Sequence, residues 1–155
     1  MRKPTLAVTV LDKLIAELVG KSNHRTLATW AADCAERVLP YFEKEHPEDG
    51  RPRKAIEACR AWARTGVFKM ADVRKTSLAA HAAARDCEEY TAARSAARAA
   101  GQAMATAHVR THSIAAAIYA ATAVRDATNS TDADAATTKE RDWQYQHLVE
   151  LSEYS

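Results

Sequence analysis

The sequence predicts an all-α protein, a single-domain bundle of about seven antiparallel helices packed around an alanine-rich central hairpin. The segment Leu78–Ala127 holds 21 alanines, no proline and a single glycine, Gly101. Alanine is the best helix former and has a small side chain, so neighbouring helices can approach this segment closely. Only 4 glycines and 4 prolines are available for turns, and valine and isoleucine occur singly, which disfavours a β-sheet fold. A chain of 155 residues fits one domain, so we expect residues 1–155 to form a single unit.

Two helices are predicted in the N-terminal third of the chain. Residues 6–19 carry an aliphatic stripe at every fourth position, which predicts a first helix that ends at Gly20. The stripe consists of Leu6, Val10, Leu14 and Leu18. Ser22 or Asn23 can cap the second helix, which has the clearest amphipathic pattern in the chain. Its predicted apolar face consists of Leu27, Trp30, Ala31, Cys34, Ala35, Val38, Tyr41 and Phe42. Pro40 lies inside this pattern and predicts a kink or a break.

Two more helices follow the strongest loop signal, His46–Gly50. Pro52 suits the first turn of a helix, because its missing N–H would have no partner there in any case. This third helix should run to about Arg64 and end at Thr65–Gly66. A fourth helix is predicted over about residues 71–87 from apolar and small residues at helical spacing.

The rest of the chain predicts the central hairpin and a C-terminal helix. Weak helix formers near residues 108–112 predict a break that divides the alanine-rich segment into two helices. Residues 128–134 have the composition of a linker, in which Thr131 and Asp134 resemble a capping box. A last helix is then expected over about residues 133–153.

Charge is spread unevenly along the chain. The net charge is only +2, but residues 51–110 carry a net +7 and residues 126–155 a net −5. Either the acidic C-terminal helix lies near the basic middle and partly neutralises it, or the two are separate patches open to partners.

The basic segment raises the possibility of a phosphate-binding stripe. Its candidate residues are Arg51, Arg53, Arg60, Arg64, Arg74, Lys75, Arg94 and Arg98. The alternative is a solvated face whose arginines pair with nearby carboxylates. The small net charge and the absence of aromatic residues between these arginines disfavour binding to nucleic acid.

Cysteine usage and hydropathy indicate a cytoplasmic protein. Cys34, Cys59 and Cys87 have no zinc-site spacing and lie in helical stretches, so we expect buried, reduced thiols. No run of 18 apolar residues predicts a membrane span, and the apolar run after the basic N-terminus is too short for a signal peptide. Trp30, Trp62 and Trp143 are interpreted as core anchors.

Catalytic and metal-binding patterns are weak. His108 and His112 are four residues apart, which on one helix would place both imidazoles on the same face, as in zinc-binding helices. A third ligand and the glutamate of the metalloprotease motif are missing, so these histidines are weak metal candidates and no cofactor is expected. The sequence has no glycine-rich phosphate loop, no nucleophile elbow and no Cys-x-x-Cys, which disfavours an enzyme.

Several segments carry a family resemblance. They are residues 25–39, the element Asp49–Ala58 with Trp62 downstream, and the alanine-rich segments 79–85, 99–103 and 105–109. In this order they resemble the all-helical Imm-five-like immunity proteins of bacterial polymorphic toxin systems, over about residues 24–125. The resemblance implies a bacterial cytosolic protein that binds and neutralises a cognate toxin. It brings no catalytic residues. A helical protein that associates with nucleic acid through the basic middle segment is the alternative.

The predicted partner-binding residues are Asp49, Arg51 and Arg53. They flank a loop and a helix start, so their side chains should be exposed on a rigid element. Arginine presents a planar fork that binds carboxylates in a bidentate manner and is enriched at interfaces. In the alternative interpretation, Asp49 caps the helix and the arginines pair internally with Glu57 or the acidic C-terminal segment.

Overall fold

The computed structural model describes residues 11–153, which form seven α-helices and contain no strand. The helices are α1 (Asp12–Lys21), α2 (His24–Glu45), α3 (Arg51–Thr65), α4 (Met70–Arg85), α5 (Ala92–Ala105), α6 (His112–Ala127) and α7 (Ala133–Glu153). The predicted all-α bundle is therefore confirmed. Within the described stretch, no helix is both long and apolar enough to cross a membrane.

Helix α5 lies at the centre of the bundle and contacts α2, α3, α4 and α6. Its buried face is made almost entirely of small side chains, which permits close approach from several directions. The fully buried members are Ala96, Ala97, Ala99, Ala100 and Ala103. The chain turns between Ala105 and His112, so α5 and α6 form the predicted alanine-rich hairpin.

Helix α2 supplies most of the large core residues that fill the space around the alanines. Trp30, Leu27, Val38, Leu39 and Phe42 are all buried. The predicted apolar face is correct except for Tyr41, which is 37% exposed. Of the predicted kink or break at Pro40, the break does not occur, since α2 continues through it to Glu45. Pro40 and Glu36 are both exposed, so water can bond the Glu36 carbonyl that lacks an N–H donor.

The first helix buries a different face from the one predicted. Its buried residues are Ile15 and Val19. Of the predicted stripe, Leu18 is partly buried against the core and Leu14 is 44% exposed. Leu6 and Val10 lie outside the described residues. The helix passes Gly20 and ends at Lys21, and Asn23 caps α2 by accepting a hydrogen bond from the Thr26 N–H at 2.8 Å.

The turns largely follow the predicted chemistry. Pro52 lies in the first turn of α3, and Gly66 ends that helix with a left-handed φ of 71°, which glycine adopts without strain. The predicted capping box at Thr131 is not formed as expected. Helix α7 begins at Ala133, one residue later than that box requires, and the Asn129 side chain accepts from the Asp132 N–H at 3.0 Å.

Helix α7 is held in place by a buried polar network. Arg141 is 1% exposed and donates to Asp12 of α1 and to the Gln144 amide oxygen. Gln144 in turn donates to the Ala117 carbonyl of α6 at 2.8 Å, and its own carbonyl accepts from Trp30 Nε1 at 2.8 Å. These bonds connect α7 to α1, α2 and α6. Periodicity had given no sign of a buried arginine here.

All three cysteines are buried and free, as predicted. Cys59 lies between two helices and donates to the carbonyls of Ala28 and Ala103. Burial raises the pKa of the Cys59 thiol to about 12, and it also raises the pKa of Cys34 and of Cys87. The thiolate form is therefore disfavoured at all three positions.

Candidate partner-binding surface

The loop between α2 and α3 holds two of the three predicted partner-binding residues in one ion-pair network. Asp49 accepts the Arg51 backbone N–H at 3.1 Å, and Arg51 Nη2 donates to the Asp49 carboxylate at 2.7 Å. The same Nη2 reaches Asp86, after α4, at 2.8 Å. Hydrogen bonding to Arg51 lowers the pKa of Asp49, so the network stays ionised at neutral pH.

The third predicted residue, Arg53, forms a separate bidentate pair with Glu43 of α2. Both N–H···O distances are 2.7 Å, and hydrogen bonding to Arg53 lowers the pKa of Glu43. The two arginines are thus paired internally, with Asp49, Asp86 and Glu43 as partners. Both guanidinium groups remain partly exposed.

A second charged cluster lies where α2, α3 and α7 meet. Asp33 accepts from Arg60 at 2.6 Å and from His147 at 2.7 Å. Arg37 forms a bidentate pair with Glu140 and lies 3.8 Å above the Trp143 ring. The acidic C-terminal helix therefore neutralises part of α2. Trp143 is accordingly half-buried under a cation rather than fully enclosed in the core.

The outward face of α5 forms a third feature, the arginine cleft, in which the charges are not paired. It is a cleft of about 340 Å³ lined by Glu89, Tyr90, Arg94, Ser95, Arg98, Tyr119 and Thr122. Among the described residues, no carboxylate lies within 4.0 Å of Arg94 or Arg98. The predicted basic stripe is thus divided. Within residues 11–153, Arg51, Arg53 and Arg60 have carboxylate partners, whereas no ion pair is formed by Arg64, Arg74, Lys75, Arg94 and Arg98.

His81 of α4 holds Arg98 in the cleft. Arg98 Nη1 donates to His81 Nδ1 at 2.9 Å, so the imidazole is neutral and acts as an acceptor. The ring lies directly over Gly101, where an added Cβ would come within 2.7 Å of His81 Nε2. The single glycine of the alanine-rich segment therefore makes room for an imidazole. Burial and the nearby positive charges of Arg98 and Arg85 lower the pKa of His81 to about 4.

The sequence matches the family described as Imm-5 like putative immunity protein over residues 17–151. The chain belongs to this family. No curated protein and no solved structure matches it. The match extends beyond the expected 24–125 at both ends and includes the second half of α1 and most of α7, together with all three surface features described above.

In this family member, the two metal candidates do not share a helix face. The turn between α5 and α6 contains His108, and His112 is the first residue of α6, so the helical spacing assumed from the sequence does not exist. His108 stacks with Phe68, and the Gln102 amide oxygen lies 2.8 Å from His112 Nδ1. Across residues 11–153, no group of three potential metal ligands is present.

One thiol–imidazole contact was not predicted from the sequence. Cys87 Sγ lies 3.5 Å from His46 Nε2, a contact between the loops that follow α2 and α4. Desolvation is the largest cause that raises the pKa of Cys87, which opposes formation of the thiolate that nucleophilic chemistry needs. The pair is therefore better explained as a packing contact in this immunity-protein fold.

Acidification should destabilise the protein through His81. An exposed histidine in the unfolded chain binds its proton near pH 6.5, whereas His81 in the folded chain binds it near pH 4. Between these values the unfolded state holds more protons, so the free energy of unfolding should fall as pH decreases from about 6.5 to about 4. Denaturant unfolding at several pH values would measure this slope.

His81→Asn should flatten the dependence of the free energy of unfolding on pH. His112 should contribute a residual slope, because burial lowers its pKa as well. An equally steep slope in the His81 variant would show that this imidazole does not titrate as described.

Proposed function

We propose that this protein is an immunity protein that binds a cognate bacterial toxin and neutralises it by protein–protein contact in the cytoplasm, without catalysis. The observation that carries the proposal is the family match over residues 17–151. The bundle offers a rigid scaffold for such a role, since its helices share one continuous core. Rigid surfaces lose little conformational entropy on binding, which favours tight complexes.

The function itself can be tested by co-expression with any toxin module that a reading frame neighbouring this gene encodes. We expect cells that produce both proteins to survive and the two proteins to co-purify as a stable complex. A protein–protein complex should weaken less steeply with added salt than a complex with nucleic acid, because far fewer counterions are released when it forms. Failure to protect, together with nucleic-acid binding that weakens steeply with salt, would contradict the proposal.

We further propose that the toxin contacts the surface formed by Asp49, Arg51 and Arg53. The bidentate pairs fix the orientation of both guanidinium groups, and Arg53 binds Glu43 through Nε and Nη2, so its Nη1 is left for a partner. Such pre-oriented, partly exposed arginines are frequent at the centres of protein interfaces.

Arg51→Glu combined with Arg53→Glu should abolish most toxin binding while the fold is kept. Exposed ion pairs contribute roughly 0–1 kcal/mol each, so the loss of stability should be small. Loss of two arginine contacts at an interface should weaken binding by about thirtyfold or more. Titration calorimetry with the toxin, beside circular dichroism, would measure both effects.

The matched control is Arg74→Glu with Lys75→Glu, which changes charge by the same amount on the exposed face of α4. Normal affinity in the Arg51/Arg53 variant would place the interface elsewhere. An early melting transition would assign these arginines to internal pairing alone.

A further inference from the structure

The arginine cleft has an excess of positive charge that the described part of the chain does not neutralise. Arg94 and Arg98 are four residues apart on one face of α5, and both are half-buried. Burial is the largest cause that lowers the pKa of Arg98, and repulsion from Arg94 and Arg85 adds to it. Glu89 is the one carboxylate in the lining, and its side chain is exposed. A second carboxylate, Asp126, lies beside the cleft and accepts from the Ser95 hydroxyl at 3.0 Å. Partial burial of a guanidinium group without a counter-charge raises the free energy of the folded protein, and an anion bound beside the group would offset this increase.

The donors in the cleft are held in place by the surrounding helices. The His81 ring is pressed against Gly101 and fixes one nitrogen of Arg98, so Nε and Nη2 of that guanidinium stay available. Arg94 makes one long contact with the Cys87 carbonyl, at 3.4 Å, and keeps its other N–H groups. Two guanidinium groups oriented in this way can receive the oxygens of a carboxylate or a phosphate.

Two tyrosines complete the walls of the cleft. Tyr119 of α6 lies close enough to Arg98 to affect its titration, and Tyr90 lies at the entrance to α5. Tyr90 has a φ of 66°, which is uncommon for a residue with a bulky side chain and is maintained only where the surrounding structure imposes it. The phenol rings add apolar surface and hydroxyl donors, a combination typical of small-molecule sites.

We propose that the arginine cleft binds a small molecule through an anionic group, either a carboxylate or a phosphate. The volume of about 340 Å³ lies at the lower end of the range for ligand pockets, which fits a small metabolite better than a polymer. This site is separate from the Asp49–Arg51–Arg53 surface. Anion binding in the cleft does not require the toxin.

Titration of the full chain with inorganic phosphate and with citrate, each at constant ionic strength against chloride, tests the site. We expect at least one of the two anions to bind and to raise the melting temperature above that in the chloride buffer. Stronger binding of phosphate would identify a phosphate site, and stronger binding of citrate a carboxylate site. Binding of neither anion would overturn the proposal.

Substitutions then locate the site. Arg94→Gln with Arg98→Gln should weaken anion binding about tenfold or more, because both charged forks are lost. If that variant does not fold, Arg94→Gln alone serves the same purpose, since Arg94 does not bond to His81. The control Arg74→Gln with Lys75→Gln removes the same charge from the exposed face of α4 and should bind as the natural chain does. An equal loss in the control would show non-specific attraction and would also overturn the proposal.

Discussion

Trp30→Ala is expected to lower the free energy of unfolding by about 3–5 kcal/mol. The side chain is 0% exposed and is one of the largest fully buried groups in the described chain. Its removal leaves a cavity and deprives the buried Gln144 carbonyl of the Trp30 Nε1 donor. Helix α2, which carries Trp30, packs against α5 and α6, whose buried residues are mostly alanines without a flexible side chain to move into the space. The cost should therefore fall in the upper part of that range.

Denaturant unfolding followed by circular dichroism would measure the change. Trp62→Ala is the informative comparison, since Trp62 was also predicted to be a core anchor but is only partly buried, with its ring 4.7 Å from that of His24. We expect a clearly smaller effect for Trp62→Ala. Equal effects at the two positions, or a change below about 1 kcal/mol for Trp30→Ala, would contradict this description of the core.

Arg141→Ala should lower the free energy of unfolding by about 3–5 kcal/mol, although an arginine is rarely a core residue. The substitution opens a cavity where a 1% exposed side chain had been, and it removes the donor from the fully buried Gln144 amide oxygen. It also separates α7 from Asp12 of α1. Loss of one partner in a buried polar network is costly because the remaining groups stay desolvated.

Arg141→Met distinguishes the contribution of volume from that of charge. Methionine restores most of the volume but still leaves Gln144 without its donor, so we expect a cost of about 1–3 kcal/mol, below that of alanine. Lys139→Ala, an exposed change on the same helix, should have almost no effect. A methionine variant no more stable than the alanine variant would assign the main contribution to the polar contacts of Arg141 and not to packing.

Much of the fold could be predicted from the sequence because local signals agree with the packing. The alanine-rich segment, the Asn23 cap, and Pro52 and Gly66 at the ends of α3 each reflect local backbone preference. The wrong predictions concern features that depend on how the helices pack against one another. Helical spacing identified an apolar stripe on α1, but the face that is buried depends on where α6 and α7 lie.

The site was harder to predict, because ion pairs join residues far apart in the chain. The sequence marked Arg51, Arg53, Arg94 and Arg98 as equally basic. Their difference comes from Glu43 and Asp86, which other helices bring to the first two and not to the others. Gly101 is a further sequence signal beside the cleft, since a lone glycine in an alanine-rich helix suggests that another group approaches closely.

The alanine-lined centre has a consequence for how this fold tolerates mutation. On α5 the buried side chains are already near the minimum size, so truncation removes little and enlargement is the harmful change. On α2 the order is reversed, because its large buried residues lose most when they are shortened. At buried positions, α5 is therefore more sensitive to an increase in side-chain size and α2 to a decrease. A loss of volume on α2 is offset by growth at a facing alanine, which makes their substitutions interdependent.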